Sequence, residues 1–139
     1  MILLDASGLL AALMPSQPRH RAARSARDSD EGPLILSPFV LAEVDYFVSK
    51  WAGVTAEQDF LAEVAGGAYV LAPFGAEDVA EAAAVVGAHP ELGIGLADAS
   101  IVLLAGRHRT TRVLTLDERH FRALRTPAGE KFTILPADA

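Results

Sequence analysis

A chain of 139 residues, 51% hydrophobic and 22% charged, has the length and apolar content of one folded domain with its own core, which excludes disorder for its body. The absence of cysteine excludes disulfides, iron–sulfur clusters, zinc ribbons and thiol catalysis, and a formal net charge of −6 argues against a general nucleic-acid coat. The longest apolar stretch, residues 94–105, is interrupted by Asp98 and falls well short of the roughly 20 residues of a membrane span. The opening residues meet Asp5 at once, without the basic flank of a signal peptide, so a cytoplasmic protein is expected.

Residues 1–4 are the first apolar run and read as a strand, closed by Asp5. A helix over 8–14 follows and stops at Pro15, and the arginine-rich segment 19–27 reads as a second helix. Residues 34–36 give the second strand. Ser37 before Pro38 then supplies an N-cap and a first-turn proline for a helix over 38–52, which Gly53 should end. The next helix, 55–64, stops at Gly66 and Gly67; a third strand covers 69–71, and a helix over 76–88 halts before Pro90. A nearly all-apolar helix over 96–105 precedes the strands 113–116 and 132–135. Alternation of strand and helix predicts an α/β domain with a mainly parallel sheet, its short strands apolar on both faces because helices cover both sides. No repeat or linker divides the chain, so residues 1–139 are expected to form a single domain.

The acids carry the functional signal. Asp5 and Asp117 each follow an apolar strand, at the carboxyl edge where ligands of open α/β sheets bind. Either one alone is equally a cap or turn residue, but two in one sheet point to a shared site. Asp98 has Ile94, Ile101 and Val102 one turn away, so its carboxylate should be partly buried and in need of a cation or a proton. Glu43 and Asp45 are about 200° apart around their helix and cannot enter one pocket together. Glu43, flanked by Phe39, Val40 and Phe47, is the expected member, and Asp45 should lie outside. Four such acids suit a hard divalent cation, magnesium above all, with manganese as a substitute. His20, His89, His108 and His120 show no zinc-type spacing and read as surface residues. Arginines accompany the acids: Arg19, Arg21, Arg24 and Arg27 in one group, and Arg107, Arg109, Arg112, Arg119, Arg122 and Arg125 in another. Carboxylate-bound magnesium beside arginines suggests phosphate-ester chemistry.

In order and spacing over nearly the whole chain, four segments resemble the PIN-domain ribonuclease family, in particular VapC-type toxins. They are Leu4–Asp5–Ala6–Ser7; Ala42 and Glu43 after Ser37 and Pro38; Gly95–Leu96–Ala97–Asp98–Ala99; and Thr115–Leu116–Asp117 with Phe121. The resemblance implies a five-stranded mainly parallel sheet in the order 3-2-1-4-5 flanked by helices. It implies Asp5 and Asp98 as the principal metal ligands, with Glu43 and Asp117 completing the pocket directly or through water. Ser7 matches the family's hydroxyl position and would hold a water, although an N-cap for the first helix is an equal reading. Thr115 matches a strand-end threonine that would orient Asp117, or is simply a buried strand residue. The implied reaction is attack of metal-activated water on an RNA phosphodiester, leaving a 5′-phosphate and a 3′-hydroxyl. Arg19, Arg21, Arg24, Arg107, Arg109, Arg119 and Arg122 become candidates for RNA contacts.

The resemblance further implies a homodimer held inactive by a cognate antitoxin. The sequence supplies a motive, since Phe39, Tyr46, Phe47, Trp51, Phe60 and Leu61 offer more large apolar groups than one sheet face needs. Two other readings compete: a phosphoryl-transfer domain with an aspartyl nucleophile, and an inactive module whose acids bind arginines of a partner. Against the first, Asp5 is followed by Ala6 and Ser7 rather than by another acid, and no lysine follows a suitable strand.

Overall fold

A computed structural model describes residues 1–139. Its strands are β1 (Ile2–Leu4), β2 (Leu34–Leu36), β3 (Val70–Leu71), β4 (Arg112–Leu114) and β5 (Thr133–Leu135), all paired in parallel in the order β3-β2-β1-β4-β5. The register sets Leu3 of β1 against Ile35 on one side and Val113 on the other. The chain therefore winds outward from β1 in one direction, returns, and winds outward in the other, so the crevice beyond the carboxyl ends of β1 and β4 is the topological switch point.

The helices α1 (Ala6–Leu13), α2 (His20–Asp28), α3 (Pro38–Ala65), α4 (Ala76–Ala88), α5 (Leu96–His108) and α6 (Glu118–Ala123) cover the sheet. The strand residues Ile2, Leu3, Leu4, Ile35, Leu36, Val113, Leu114 and Ile134 are all essentially inaccessible, as the continuous apolar runs require. α5 is buried nearly all round, from Ala97 to Ala105, which is why its sequence lacks an amphipathic stripe. Where α1 crosses β4 the backbones nearly touch: a Cβ at Gly8 would stand 2.2 Å from the Leu114 carbonyl oxygen and 2.7 Å from the Thr115 nitrogen. Only glycine fits there.

The helices expected over 38–52 and 55–64 meet within α3 at Gly53, whose φ of 88° and ψ of 176° break the helical backbone where the stop was expected. Two expectations need correction. The third strand is not covered on both faces: Val70 and Leu71 are exposed, because β3 is a two-residue edge strand paired only with β2. The short helix α6, which the sequence pattern did not indicate, follows Asp117 directly. A fully buried hydrogen bond fixes how two of the helices begin: Ser37 and Ser100 hydroxyls lie 2.7 Å apart, Ser100 donates to the Ala97 carbonyl, and Ser37 accepts from the Phe39 amide as the N-cap of α3. The first turns of α3 and α5 are thereby stapled together beside β1.

Candidate active site

A cleft of about 490 Å³ opens at the switch point, lined by Asp5, Glu43, Asp98 and Asp117 together with Ser7, Leu116, His120, Phe47 and Trp51. The four acids arrive from the end of β1, from α3, from the first turn of α5 and from the start of α6. A larger cleft of about 910 Å³, between α4, α5 and residues 125–127, contains none of the four. Only the smaller one brings the four carboxylates from separate elements together at the sheet's carboxyl edge, where ligands of open α/β sheets bind.

Asp5 lies at its floor and is buried. Its backbone amide extends the β1–β4 ladder by donating to the Leu114 carbonyl. The hydroxyls of Thr115 and Ser7 both donate to Asp5 Oδ2, at 2.6 and 3.0 Å. Each hydroxyl in turn accepts a backbone amide, Thr115 from Asp117 and Ser7 from Leu116. Each hydroxyl thus donates one hydrogen bond, to the carboxylate, and accepts one from the backbone. Burial nevertheless raises the Asp5 pKa above its ordinary value, the two hydroxyls opposing that shift and the Asp117 charge adding to it.

The roles of Ser7 and Thr115 follow from these bonds. Ser7 is not the N-cap of α1: Asp5 occupies that position, and it makes no side-chain capping bond. Thr115 holds the Asp5 carboxylate directly and Asp117 only through its backbone amide. Asp117 is itself the N-cap of α6, accepting the His120 amide on Oδ1 at 3.1 Å. One oxygen of Asp117 thus caps α6, and the other, Oδ2, lies 2.7 Å from His120 Nδ1 in the lining of the cleft.

Asp98 is mostly buried on α5, and its pKa is pushed up to about 6, first by burial, then by the Asp5 charge, with His120 pulling the other way. Glu43 stands exposed at the rim. Partial desolvation and then the Asp5 charge raise its pKa as well. This exposure departs from the apolar setting expected for Glu43, because Val40 and Val44, not its own side, turn into the core. Asp45 does not line the cleft; its carboxyl meets Glu57 across the Gly53 break instead.

His120 corrects the reading of all four histidines as surface residues. Its side chain is only 18% exposed, with Nδ1 2.7 Å from Asp117 Oδ2 and 3.5 Å from Asp98 Oδ2, and Nε2 2.7 Å from the Leu92 carbonyl oxygen. The sequence signal was the spacing Asp117-x-x-His120, one helical turn. A search for paired histidines passes over it. Asp98, Asp117 and His120 present donor atoms within 4.8 Å of one another, a set able to hold a divalent cation.

The arginines divide. Arg107 donates to the Pro73 carbonyl and to Asp78, and Arg122 to Glu118 and Asp138, so both guanidinium groups are engaged on the protein's own surface. Arg19, Arg21, Arg24, Arg109 and Arg119 are exposed; Arg19 directly follows Gln17 and Pro18 at the cleft's edge. Of the aromatic candidates, Phe60 is buried, whereas Tyr46 and Trp51 are exposed. Trp51 also lines a separate apolar cleft with Leu13, Met14, Val48, Ala56 and Phe60, so one side chain borders both the acids and an apolar surface.

Comparison with known proteins agrees with this architecture. The PIN domain family matches residues 2–126. Ribonuclease VapC26 of Mycobacterium tuberculosis is 45% identical over 135 residues, which covers 97% of this chain and 100% of that protein. Among solved structures, Mycobacterium tuberculosis VapC20, a sarcin-ricin loop cleaving toxin, superposes with a TM-score of 0.77 at 19% identity over 84% of this chain and 90% of its own. A toxin–antitoxin complex from Klebsiella pneumoniae gives 0.66 at 20% identity, over 89% and 92% of the two chains. FitAcB from Neisseria gonorrhoeae gives 0.58 at 22% identity, over 85% and 88%. With the family matched over most of its length and a relative this similar end to end, the chain belongs to the PIN-domain family and, within it, to the VapC ribonucleases.

Proposed function

We propose that this chain is a magnesium-dependent endoribonuclease that acts as the toxin of a toxin–antitoxin pair on structured RNA, whether transfer, ribosomal or messenger. The observation that carries this reading is the convergence of Asp5, Glu43, Asp98 and Asp117 from four elements on one cleft at the switch point. The residues fit a divalent cation: carboxylate oxygens predominate, three of the acids have raised pKa values that a cation would reverse, and the buried Nδ1 of His120 has no hydrogen-bond partner. Asp5 and Asp98 would be its principal ligands, with Glu43 and Asp117 completing the pocket. When bound, the cation offsets charge on the phosphate and lowers the pKa of a water.

The chain's own residues supply the rest. Ser7 and Thr115 hold the Asp5 carboxylate in a single orientation, which removes the reorganisation a free carboxylate would require. Glu43, at the solvent rim with a raised pKa, is the group suited to accept a proton as water attacks phosphorus. The bond from phosphorus to the 3′ oxygen then breaks, and that oxygen takes up a proton, giving a 5′-phosphate and a 3′-hydroxyl. Arg19, Arg21, Arg109 and Arg119 are exposed cations that would meet RNA phosphates, with Arg24, paired to Asp28 at 3.7 Å on the exposed face of α2, beside them. Cleavage of a structured RNA in magnesium, lost in Asp98→Asn and yielding 5′-phosphate ends, is the expected result. Activity without added divalent cation, or unimpaired in the variant, would reject the reading.

The partner half of the proposal rests on Trp51. An antitoxin helix laid in the apolar cleft would reach the acids past this one side chain, and an arginine from it would pair with Asp5, Glu43 or Asp98 in place of the cation. Exposed Tyr46 and Trp51 also suit a homodimer, which sedimentation of the purified chain would test. No helix is long and apolar enough to cross a membrane.

A further inference from the structure

We propose that His120 is a metal ligand through Nδ1, joining Asp98 and Asp117 in a mixed nitrogen–oxygen cation site that prefers manganese to magnesium. The proposal rests on the metal-dependent reading above and goes beyond it in the donor set, since the sequence pattern points to oxygen ligands alone.

The far side of the His120 ring is anchored to the backbone. Nε2 lies 2.7 Å from the Leu92 carbonyl oxygen, an acceptor only, so the ring proton sits on Nε2 and donates there. With a single ring proton placed there, Nδ1 carries the lone pair that a cation would take. It is shielded from solvent and has no hydrogen-bond partner, yet it faces two carboxylate oxygens, Asp117 Oδ2 at 2.7 Å and Asp98 Oδ2 at 3.5 Å. A second ring proton does not resolve this contact: despite the short distances, neither oxygen lies where an N–H in the ring plane would donate to it. A lone pair among carboxylate oxygens is repulsive unless a cation lies between them. The three donor atoms fall within 4.8 Å of one another, close enough to share one ion.

The surrounding chain fixes all three. Asp117 uses Oδ1 to cap α6 through the His120 amide, which turns Oδ2 toward the imidazole of the same turn. The Leu92 carbonyl sets the ring's tautomer and rotation, as the second hydrogen bond of a metal-bound histidine generally does. Asp98 is held by α5, whose first turn is stapled to α3 through Ser100 and Ser37. An imidazole nitrogen favours first-row transition ions, whereas magnesium demands oxygen ligands and keeps its waters, so this donor set shifts selectivity toward manganese.

Pulsed electron paramagnetic resonance of the full chain with less than one equivalent of Mn2+ tests the proposal. The expected result is a directly coordinated 14N signal that becomes a 15N signal when the protein carries 15N-labelled histidine. In His120→Gln the signal should vanish, and the preference for Mn2+ over Mg2+ in a competition titration should fall by about tenfold or more, the loss found even for outer-shell partners of a ligand. Bound Mn2+ without nitrogen coupling in the wild type, or coupling that survives His120→Gln, would overturn the assignment. The labelled wild-type measurement needs no variant, so a misfolded substitution would not blunt it. Nitrogen coupling in a protein that cleaves no RNA would leave this site standing and reject the ribonuclease reading; no Mn2+ binding at all would reject both.

Discussion

Thr115 donates its hydroxyl proton to Asp5 Oδ2 across 2.6 Å, tying the carboxyl end of β4 to that of β1 at the point where the sheet's winding reverses. The same hydroxyl accepts the Asp117 amide, so one buried oxygen aligns the first acid of the site and the backbone of the last. Thr115→Val keeps the shape and removes both bonds. It should cost about 1–3 kcal/mol in urea unfolding, the penalty for leaving polar groups unsatisfied. RNA cleavage should fall as well, chiefly in kcat. An unchanged kcat would mean that Asp5 needs no orienting partner.

Asp98→Asn should separate stability from chemistry. Burial and the neighbouring Asp5 charge disfavour the Asp98 carboxylate in the metal-free fold, so the neutral amide should raise the melting temperature without added cation. Cleavage should drop by at least about 100-fold, the scale of losing one preorganised charge-stabilising group. A variant that melts lower in the absence of metal would show that the Asp98 charge is already compensated by His120.

The pH dependence of the metal-free protein follows from the same shifts. Asp98 titrates near 3.8 when unfolded and near 6 when folded, and Asp5 and Glu43 are shifted in the same direction. Between these values the native state binds more protons than the unfolded state, so stability falls as pH rises from about 4 to about 6. Asp138, lowered to about 2 by Arg122, acts with the opposite sign but only below that window, and it is exposed. Thermal melts from pH 4 to 7 should show the decline, and millimolar magnesium or manganese should reverse it. A flat profile would argue against an uncompensated acid cluster.

Much of this was legible in the sequence because the relevant signals are local. A short apolar run ending in an acid marks Asp5 and Asp117, and an acid in an all-apolar helix marks Asp98. The helix angle between Glu43 and Asp45 separates the acid that lines the cleft from the one that does not. The parallel sheet and its strand order were expected from alternation and resemblance, and the fold has them. What escaped depends on distance in the chain. α6 has only six residues, too few to display a helical period, so the Asp117–His120 turn was not seen as a helix. His120 is enclosed by α5 and by the Leu92 carbonyl, neither of which its neighbours in sequence announce. The exposure of Val70 and Leu71 depends on which strand lies at the edge, a property of topology that a strand's own composition does not carry.

Trp51 should separate partner binding from folding. Its ring packs 4.7 Å from that of Phe47 and is 48% exposed between the apolar cleft and the acids. Trp51→Ala should leave the far-ultraviolet circular dichroism unchanged and weaken a co-expressed antitoxin by about 2 kcal/mol or more, the loss typical of a central aromatic anchor. Equal affinity for both forms would move the partner's footprint elsewhere.

Gly8 has a consequence for how this protein fails. α1 rests on the backbone between Leu114 and Thr115 with no room for a single methyl group, and that stretch of chain leads directly to the hydroxyl holding Asp5. Alanine at position 8 would act as a wedge, lifting the helix that carries Ser7 and opening the gap between two strand ends whose alignment tolerates almost no slack. The cutting centre can therefore be blunted without altering any charged group. In a selection for cells that survive expression of this chain alone, escape substitutions should fall at Gly8 as well as at the acids.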